Sequence, residues 1–212
     1  MMLSHPHRVL MTAAAASLGA ALTTAALADD PTFTSSWKAP EASGISFKGK
    51  KVASLVMTTD QNLQISVEEQ IAKQLDARGM MGVATYRMVP KEVLTSSDAA
   101  RPWFERAKVE GVVALRPVSA DTRANYSPPV WAQTSYGTLW GYYGYGWSGV
   151  YIPRNVREDT TLVVETLIFS VPLNKLLWGG VSTTTNPKKA PLFIKELADA
   201  TVKELKHQQL IK

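Results

Sequence analysis

Beyond residue 50, short apolar runs of strand length alternate with longer stretches of helical periodicity, and this alternation restricts the fold more than any other feature of the chain. Val52, Ala53, Leu55, Val56 and Met57 form a bounded run that suits a mostly buried strand. Ile65, Val67, Ile71, Ala72 and Leu75 then recur at helical spacing, with Ser66 and Glu69 placed as a capping box and Gly79 at a left-handed C-cap. Ala84 to Val89 alternate as a second strand that Pro90 stops. Ser97 or Asp98 caps a helix through Trp103, Phe104 and Ala107, with Pro102 near its first turn and Gly111 at its end. Val112 to Leu115 make a third strand. Thr160 to Val171 read as the strongest strand, turned at residues 172–175 into a hairpin partner that runs from Leu176 to Thr185. Asn186, Pro187 and Pro191 open a last helix with Leu192, Leu197, Ala198, Val202 and Leu205 on its apolar side. The expectation is an α+β fold: a mixed β-sheet of about five strands with about three helices packed on it.

The first 28 residues read as a secretory signal. Arg8 precedes an uncharged run rich in alanine and leucine, and Ala26 and Ala28 flank Leu27 in the small-x-small pattern that places cleavage before Asp29. An extended segment over 29–47 then leads into a single domain over 48–212. The chain has no cysteine, so it carries neither a disulfide nor a thiol for covalent lipid attachment. The expected location is therefore the periplasm or cell envelope, with the mature protein soluble or peripherally attached. Without residues 1–28, which hold one basic residue, 22 Lys and Arg stand against 18 Asp and Glu. The densest basic clusters are pairs such as Lys50 with Lys51 and Lys188 with Lys189, too dispersed for a nucleic-acid footprint.

One segment departs from the rest. Residues 124–153, between the third and fourth expected strands, contain no charge and hold six of the seven tyrosines and three of the six tryptophans, interleaved with glycine. Aromatic rings supply large contact area with few torsions, and tyrosine adds a hydroxyl, so Trp131, Tyr136, Trp140, Tyr142, Tyr143, Tyr145, Trp147 and Tyr151 are the candidate binding residues. The partners this chemistry suits are a cell-wall glycan, a membrane surface, an envelope protein or a second copy of the chain. The alternative is a loop whose rings pack on the protein's own surface, or a low-complexity insert without fixed structure. The insert is unusual for the latter, because burial of each tryptophan is worth about 2 kcal/mol or more.

Val164, Glu165, Leu167 and Phe169, a short Pro-Leu-Asn turn, Leu177-Trp178-x-Gly180 and a proline-initiated C-terminal helix together resemble a group of exported bacterial proteins and lipoproteins that share a domain of unknown function. The resemblance covers roughly residues 48–210 and implies a fold, helices packed against a β-sheet, rather than an activity. The plan is similar to that of the amino-terminal domain of the Tol translocation protein. Many members of the group carry a lipobox cysteine and lack the long aromatic insertion, and this chain departs from them in both.

Most familiar catalytic constellations lack their residues. After Asp29 the only histidine is His207, near the end of the last helix, where a cation suits the macrodipole. One histidine and no cysteine remove Ser-His-Asp and Cys-His arrangements and any histidine- or cysteine-rich zinc site. Gly141, Gly144 and Gly146 lack the Lys-Ser/Thr of a phosphate loop, and no cofactor is expected. Paired carboxylates remain, with Glu158, Asp159 and Glu165 nearest the aromatic segment, although the first two suit a solvated strand start and Glu165 the exposed face of a strand. The sequence therefore points to a noncatalytic envelope module that binds or assembles through its aromatic insertion. A carboxylate-type hydrolase acting on cell-wall glycan and a self-assembling structural envelope protein are the alternatives.

Overall fold

The computed structural model describes residues 31–119, 137–147, 161–185 and 190–211. The cleavage pattern at Ala26, Ala28 and Asp29, the carboxylates Glu158 and Asp159, and Trp131, Tyr136 and Tyr151 lie outside the described residues. So do Asn186 and Pro187.

The fold is the expected α+β arrangement, built on one mixed sheet of six strands in the order β1-β6-β5-β4-β2-β3. The strands are β1 (Thr32–Lys38), β2 (Lys51–Val56), β3 (Met81–Ala84), β4 (Gly111–Ser119), β5 (Thr161–Ser170) and β6 (Lys175–Thr185). The helices are α1 (Gln61–Asp76), the single turn α2 (Thr85–Met88), α3 (Ser97–Arg106), α4 (Leu139–Gly146) and α5 (Ala190–His207). β2 runs parallel to β3 on one side and to β4 on the other, while β5, β6 and β1 continue the sheet antiparallel.

Side-chain alternation along the strands divides the core in two. Val52 and Val56 of β2 and Val113 and Leu115 of β4 face α1 and α5, which contribute Val67, Ile71, Leu75, Leu197, Val202 and Leu205. Ala53 and Leu55, with Val112 and Ala114, face the opposite way and are covered by Ala100 and Phe104 of α3 and by Leu139, Tyr142 and Tyr143 of α4. On the first side α1 lies so close to β3 that a Cβ on Gly82 would collide with the Ala72 carbonyl, so only glycine fits there.

Several local expectations change. Residues 84–89 do not form a strand: β3 ends at Ala84, and Thr85 to Met88 turn as a helix whose Thr85 hydroxyl is drawn into the core by the Ser54 carbonyl at 2.7 Å. That tertiary bond overrides the alternating pattern. α1 starts at Gln61 under an Asp60 cap, which accepts from the Leu63 amide at 3.1 Å, and Ser66 and Glu69 sit inside the helix. α3 is capped by Ser96 and ends at Arg106; Lys108, with φ 55°, makes the turn, and Gly111 begins β4. Pro102 is then the sixth residue of α3 and exposed, past the first turn. Within the segment expected to be extended over 29–47, Thr32–Lys38 form β1, an edge strand of the same sheet, and Pro40–Gly44 a 3₁₀ turn. Glu165 is the largest correction, being 1 % exposed rather than on an open strand face. Its β5 neighbours Val163 and Leu167 face the α3/α4 side, and period two carries Glu165 to that side too.

Among the described residues no helix is long and apolar enough to cross a membrane.

Candidate functional site at the carboxyl end of the parallel strands

The chain leaves β2 to cross one face of the sheet through α1 to β3, then crosses the other face through α3 to reach β4 on the far side of β2. Crossovers that diverge from one strand open a crevice at its carboxyl end, where doubly wound sheets hold their ligands. In this chain α4, the described centre of the aromatic insertion, sits over that end. A Cβ on Gly146 would strike the Met57 sulfur just beyond β2, so the helix approaches the strand through a residue without a side chain.

The sequence of α4 explains how it seats. Thr138 caps it, its hydroxyl accepting from the Gly141 amide at 3.2 Å. Leu139, Tyr142, Tyr143 and Gly146 fall at helical spacing on one side, and all four are buried. The Tyr143 hydroxyl donates to the Leu94 carbonyl at 2.7 Å. Its ring meets Phe104 of α3 edge-on at 6.0 Å, and Tyr142 packs on Phe169 at 5.6 Å. Burial, reinforced by the Glu68 carboxylate, pushes the Tyr143 hydroxyl well above the ordinary tyrosine range, so it remains a donor. The Trp140 amide donates to the Asn174 side-chain oxygen at 3.3 Å, tying the start of α4 to the β5–β6 turn.

Two of the described candidates, Tyr142 and Tyr143, thus spend their surface on the core. The other three remain accessible: Trp140 and Trp147 are half-buried and Tyr145 is 43 % exposed. Arg101 of α3 lies over Trp140, its Cζ 5.8 Å from the ring centroid, and Arg116 lies 5.2 Å from that of Tyr145. Leu173, in the turn that meets the start of α4, is 52 % exposed.

Beneath the helix lies a buried ion pair. Arg116 and Glu165 face each other in the β4–β5 register, the guanidinium reaching the Glu165 Oε2 at 2.8 and 2.9 Å, and the Tyr142 hydroxyl donates to the same oxygen at 3.4 Å. The pair fixes the base on which Tyr142 and Tyr145 rest. A second carboxylate, Glu68 of α1, is fully buried at the other side of the crevice. Its Oε1 accepts from the Val56 amide at 3.0 Å and Gln64 Nε2 at 3.1 Å, and its Oε2 accepts from the Tyr86 amide at 2.8 Å. Burial raises its pKa from 4.5 to about 7, because these neutral donors offset only part of the lost hydration.

Neither Arg116 nor Glu68 is among the residues the sequence singled out, although each carried a signal. Gln64 and Glu68 occupy the same helical rows as Val67, Ile71 and Leu75, and Arg116 continues the alternation of Val112 and Ala114. A charge in a core-facing register marks a buried pair or a functional group. His207 is exposed, as expected, 3.9 Å from Glu204. The amino terminus of α1, next to the crevice, is occupied by its own Asp60 carboxylate. Among the described residues no group of three or more His, Cys, Asp or Glu is arranged to hold a metal.

The chain matches no family model and no curated protein. Among solved structures it is similar to the PelC dodecamer from Paraburkholderia phytofirmans in two crystal forms. One, a single-residue variant, is 14% identical over 85% of this chain and 99% of that one, with a TM-score of 0.46; the other is 14% identical over 84% and 97%, with a TM-score of 0.45.

Proposed function

We propose that the protein is an exported cell-envelope module that binds or assembles, without catalysis, through the outer side of its aromatic insertion. The observation that carries this reading is the division of labour on α4. Its inner residues lock the helix over the carboxyl end of β2, and its outer residues Trp140, Tyr145 and Trp147 keep accessible ring surface. A fixed platform of tryptophan and tyrosine bordered by arginine loses little entropy on binding and is rich in the residue types that dominate interfaces. Export rests on the expected signal over 1–28. The resemblance of residues 48–210 to the exported group with the Leu-Trp-x-Gly strand suits the same location.

The hydrolase reading calls for two carboxylates open to a substrate beside Trp140 and Trp147. Of the three candidates for it, Glu165 is within the described residues, and its Oε2 is engaged by Arg116 and Tyr142. The binding reading therefore has the better support.

The test is cosedimentation of the chain from Asp29 onward with purified peptidoglycan sacculi and with anionic phospholipid vesicles, run beside light scattering over a range of protein concentrations. Binding in either arm, or concentration-dependent oligomers, that weakens in Tyr145→Ser supports the module. A monomer that stays in the supernatant of both arms overturns it. Deletion of the whole insertion is a poor control, because it removes Leu139, Tyr142 and Tyr143 from the core.

A further inference from the structure

The fold gathers at one end of the sheet basic residues that lie far apart in the sequence. β2 and β3 start side by side there, with Lys51 opposite Met81, and β4 starts beside them at Gly111, opposite the end of β5 at Ser170. Backbone bonds tie the loops of this rim together. The Gly49 amide donates to the Gly79 carbonyl at 2.7 Å, the Met81 amide to Lys50 at 2.9 Å, the Glu110 amide to Lys51 at 2.9 Å and the Val171 amide to Glu110 at 3.0 Å. On the rim segments 46–51, 77–81, 106–110 and 171–174, Lys48, Lys50, Lys51, Arg78, Arg106 and Lys108 stand against one carboxylate, Glu110. Of the 22 basic and 18 acidic residues after residue 28, these segments take six and one, leaving 16 and 17 elsewhere, so the whole positive excess lies here. Glu110 is engaged by Lys50 at 2.6 Å, and Lys51 Nζ donates to the Ala107 carbonyl at 2.7 Å. Lys48, Arg106 and Lys108 are exposed, Arg106 with its Cζ 4.1 Å from the Trp103 ring centroid. The carbonyl ends of α1 and α3 account for Arg78, which donates to the Gln74 carbonyl at 2.9 Å, and for Arg106 in the last turn of α3. They do not account for Lys48, Lys50 and Lys51, which lead into a strand.

The same rim carries projecting apolar side chains. Met81 is 50 % exposed and Leu173 52 %, with Pro172 exposed beside Leu173. Basic side chains around apolar tips suit an anionic bilayer, which takes the cations at its phosphates and the tips at its interface, whereas a soluble polyanion leaves the tips in water. At the other end of β2 the sign reverses: residues 57–61 carry Asp60, and residues 89–98 carry Glu92 and Asp98 against Lys91. We propose that the amino-terminal rim of the parallel strands docks on an anionic phospholipid surface, with Lys48, Arg106 and Lys108 on the headgroups and Met81 and Leu173 at the interface. The charge asymmetry along the strands turns the basic end towards the bilayer during approach. Gly146, next to Tyr145, lies against Met57 beyond the carboxyl end of β2, so that end of α4 faces away from the docked rim. The rim is thus a second surface, and it stands whether or not α4 binds a partner.

The experiment is partition of the chain from Asp29 onward onto phosphatidylcholine vesicles with and without phosphatidylglycerol. The wild type is expected on the vesicles that contain phosphatidylglycerol, and to lose most of that binding at about 0.5 M NaCl, where the charges are screened. Lys48→Gln with Lys108→Gln, both at exposed positions, lowers partition by about thirtyfold. Leu173→Ser lowers it by about fivefold and leaves the salt dependence unchanged. Tyr145→Ser keeps the salt-sensitive binding, so the rim and the α4 platform fail separately. Equal partition onto both kinds of vesicle, no partition onto either, or a lysine double variant that binds as the wild type does overturns the proposal. Loss of vesicle binding in Tyr145→Ser alone assigns that binding to α4 and also overturns it. Polyphosphate bound as tightly as the vesicles, with Leu173→Ser without effect on either, marks a polyanion site and overturns the lipid assignment. Salt titration of the wild type reads the same charges without any substitution, so the outcome does not depend on the folding of a variant.

Discussion

The two faces of the sheet are built on different principles. Under α1 and α5 most contacts are Val, Ile, Leu and Phe against Val, Leu and Trp178, and outside the small polar cluster of Ser54, Gln64 and Glu68 at the end of β2 the burial is general: many sequences of the same volume would fill it. Under α3 and α4 the same sheet carries the Arg116–Glu165 pair, and the Tyr142 and Tyr143 hydroxyls each find an acceptor. Hydroxyls and charges tolerate far fewer arrangements than methyl groups, because each left without a partner costs about 1–3 kcal/mol or more. The first face holds the domain together; the second fixes one position for a helix, which is what a binding platform requires.

The largest expected effect breaks that contrast at its base. Arg116→Met or Glu165→Leu alone leaves an uncompensated buried charge and costs about 3–5 kcal/mol in denaturant unfolding, whereas the double substitution recovers most of the loss. Ile71→Ala on the opposite face costs about 2–5 kcal/mol, with no single partner that rescues it. If the double substitution is no better than the singles, the two faces do not differ as described.

Next is the pH dependence of global stability. Glu68 has a folded pKa of about 7 against an ordinary 4.5. Below the lower value both states are neutral and the group costs nothing. Between the two the unfolded chain ionises first, so stability falls as pH rises, by up to about 3 kcal/mol, and stays at the lower level above about pH 7. Glu68→Gln is expected to flatten that part of the stability curve.

Two smaller changes sharpen the seat of α4. Gly146→Ala forces a methyl group onto Met57 and is expected to cost about 1–3 kcal/mol by thermal unfolding. Tyr143→Phe removes the donor to Leu94 and costs about 1–2 kcal/mol, a loss that Phe104→Leu, which keeps that hydrogen bond, would incur through ring packing instead.

The layout of the sheet was legible because its signal is burial. The runs at Val52–Met57, Val112–Leu115 and Leu162–Phe169 and the rows of α1 and α5 all appear as periodic apolar residues. β1 was not, because Thr32 to Lys38 alternate half-buried with exposed side chains and their pairing with β6 is set by partners nearly 150 residues away. Residues 84–89 carried a strand pattern that one buried hydroxyl, Thr85 on Ser54, turned into a helix. At the candidate site the aromatic content announced that something unusual happens, but composition could not divide core rings from exposed ones. That division follows from the helical phase of α4, which puts Tyr142 and Tyr143 inward and Tyr145 outward. Glu165 was misjudged for a related reason, since its cation stands 49 residues earlier in the chain.

The most direct test of the central claim is the smallest structural change. Tyr145→Ser alters an exposed ring and is expected to move unfolding stability by no more than about 0.5 kcal/mol, while cosedimentation with sacculi or vesicles, or self-association in light scattering, weakens by about tenfold or more. A folded Tyr145→Ser protein that binds and assembles as the wild type does would contradict the account.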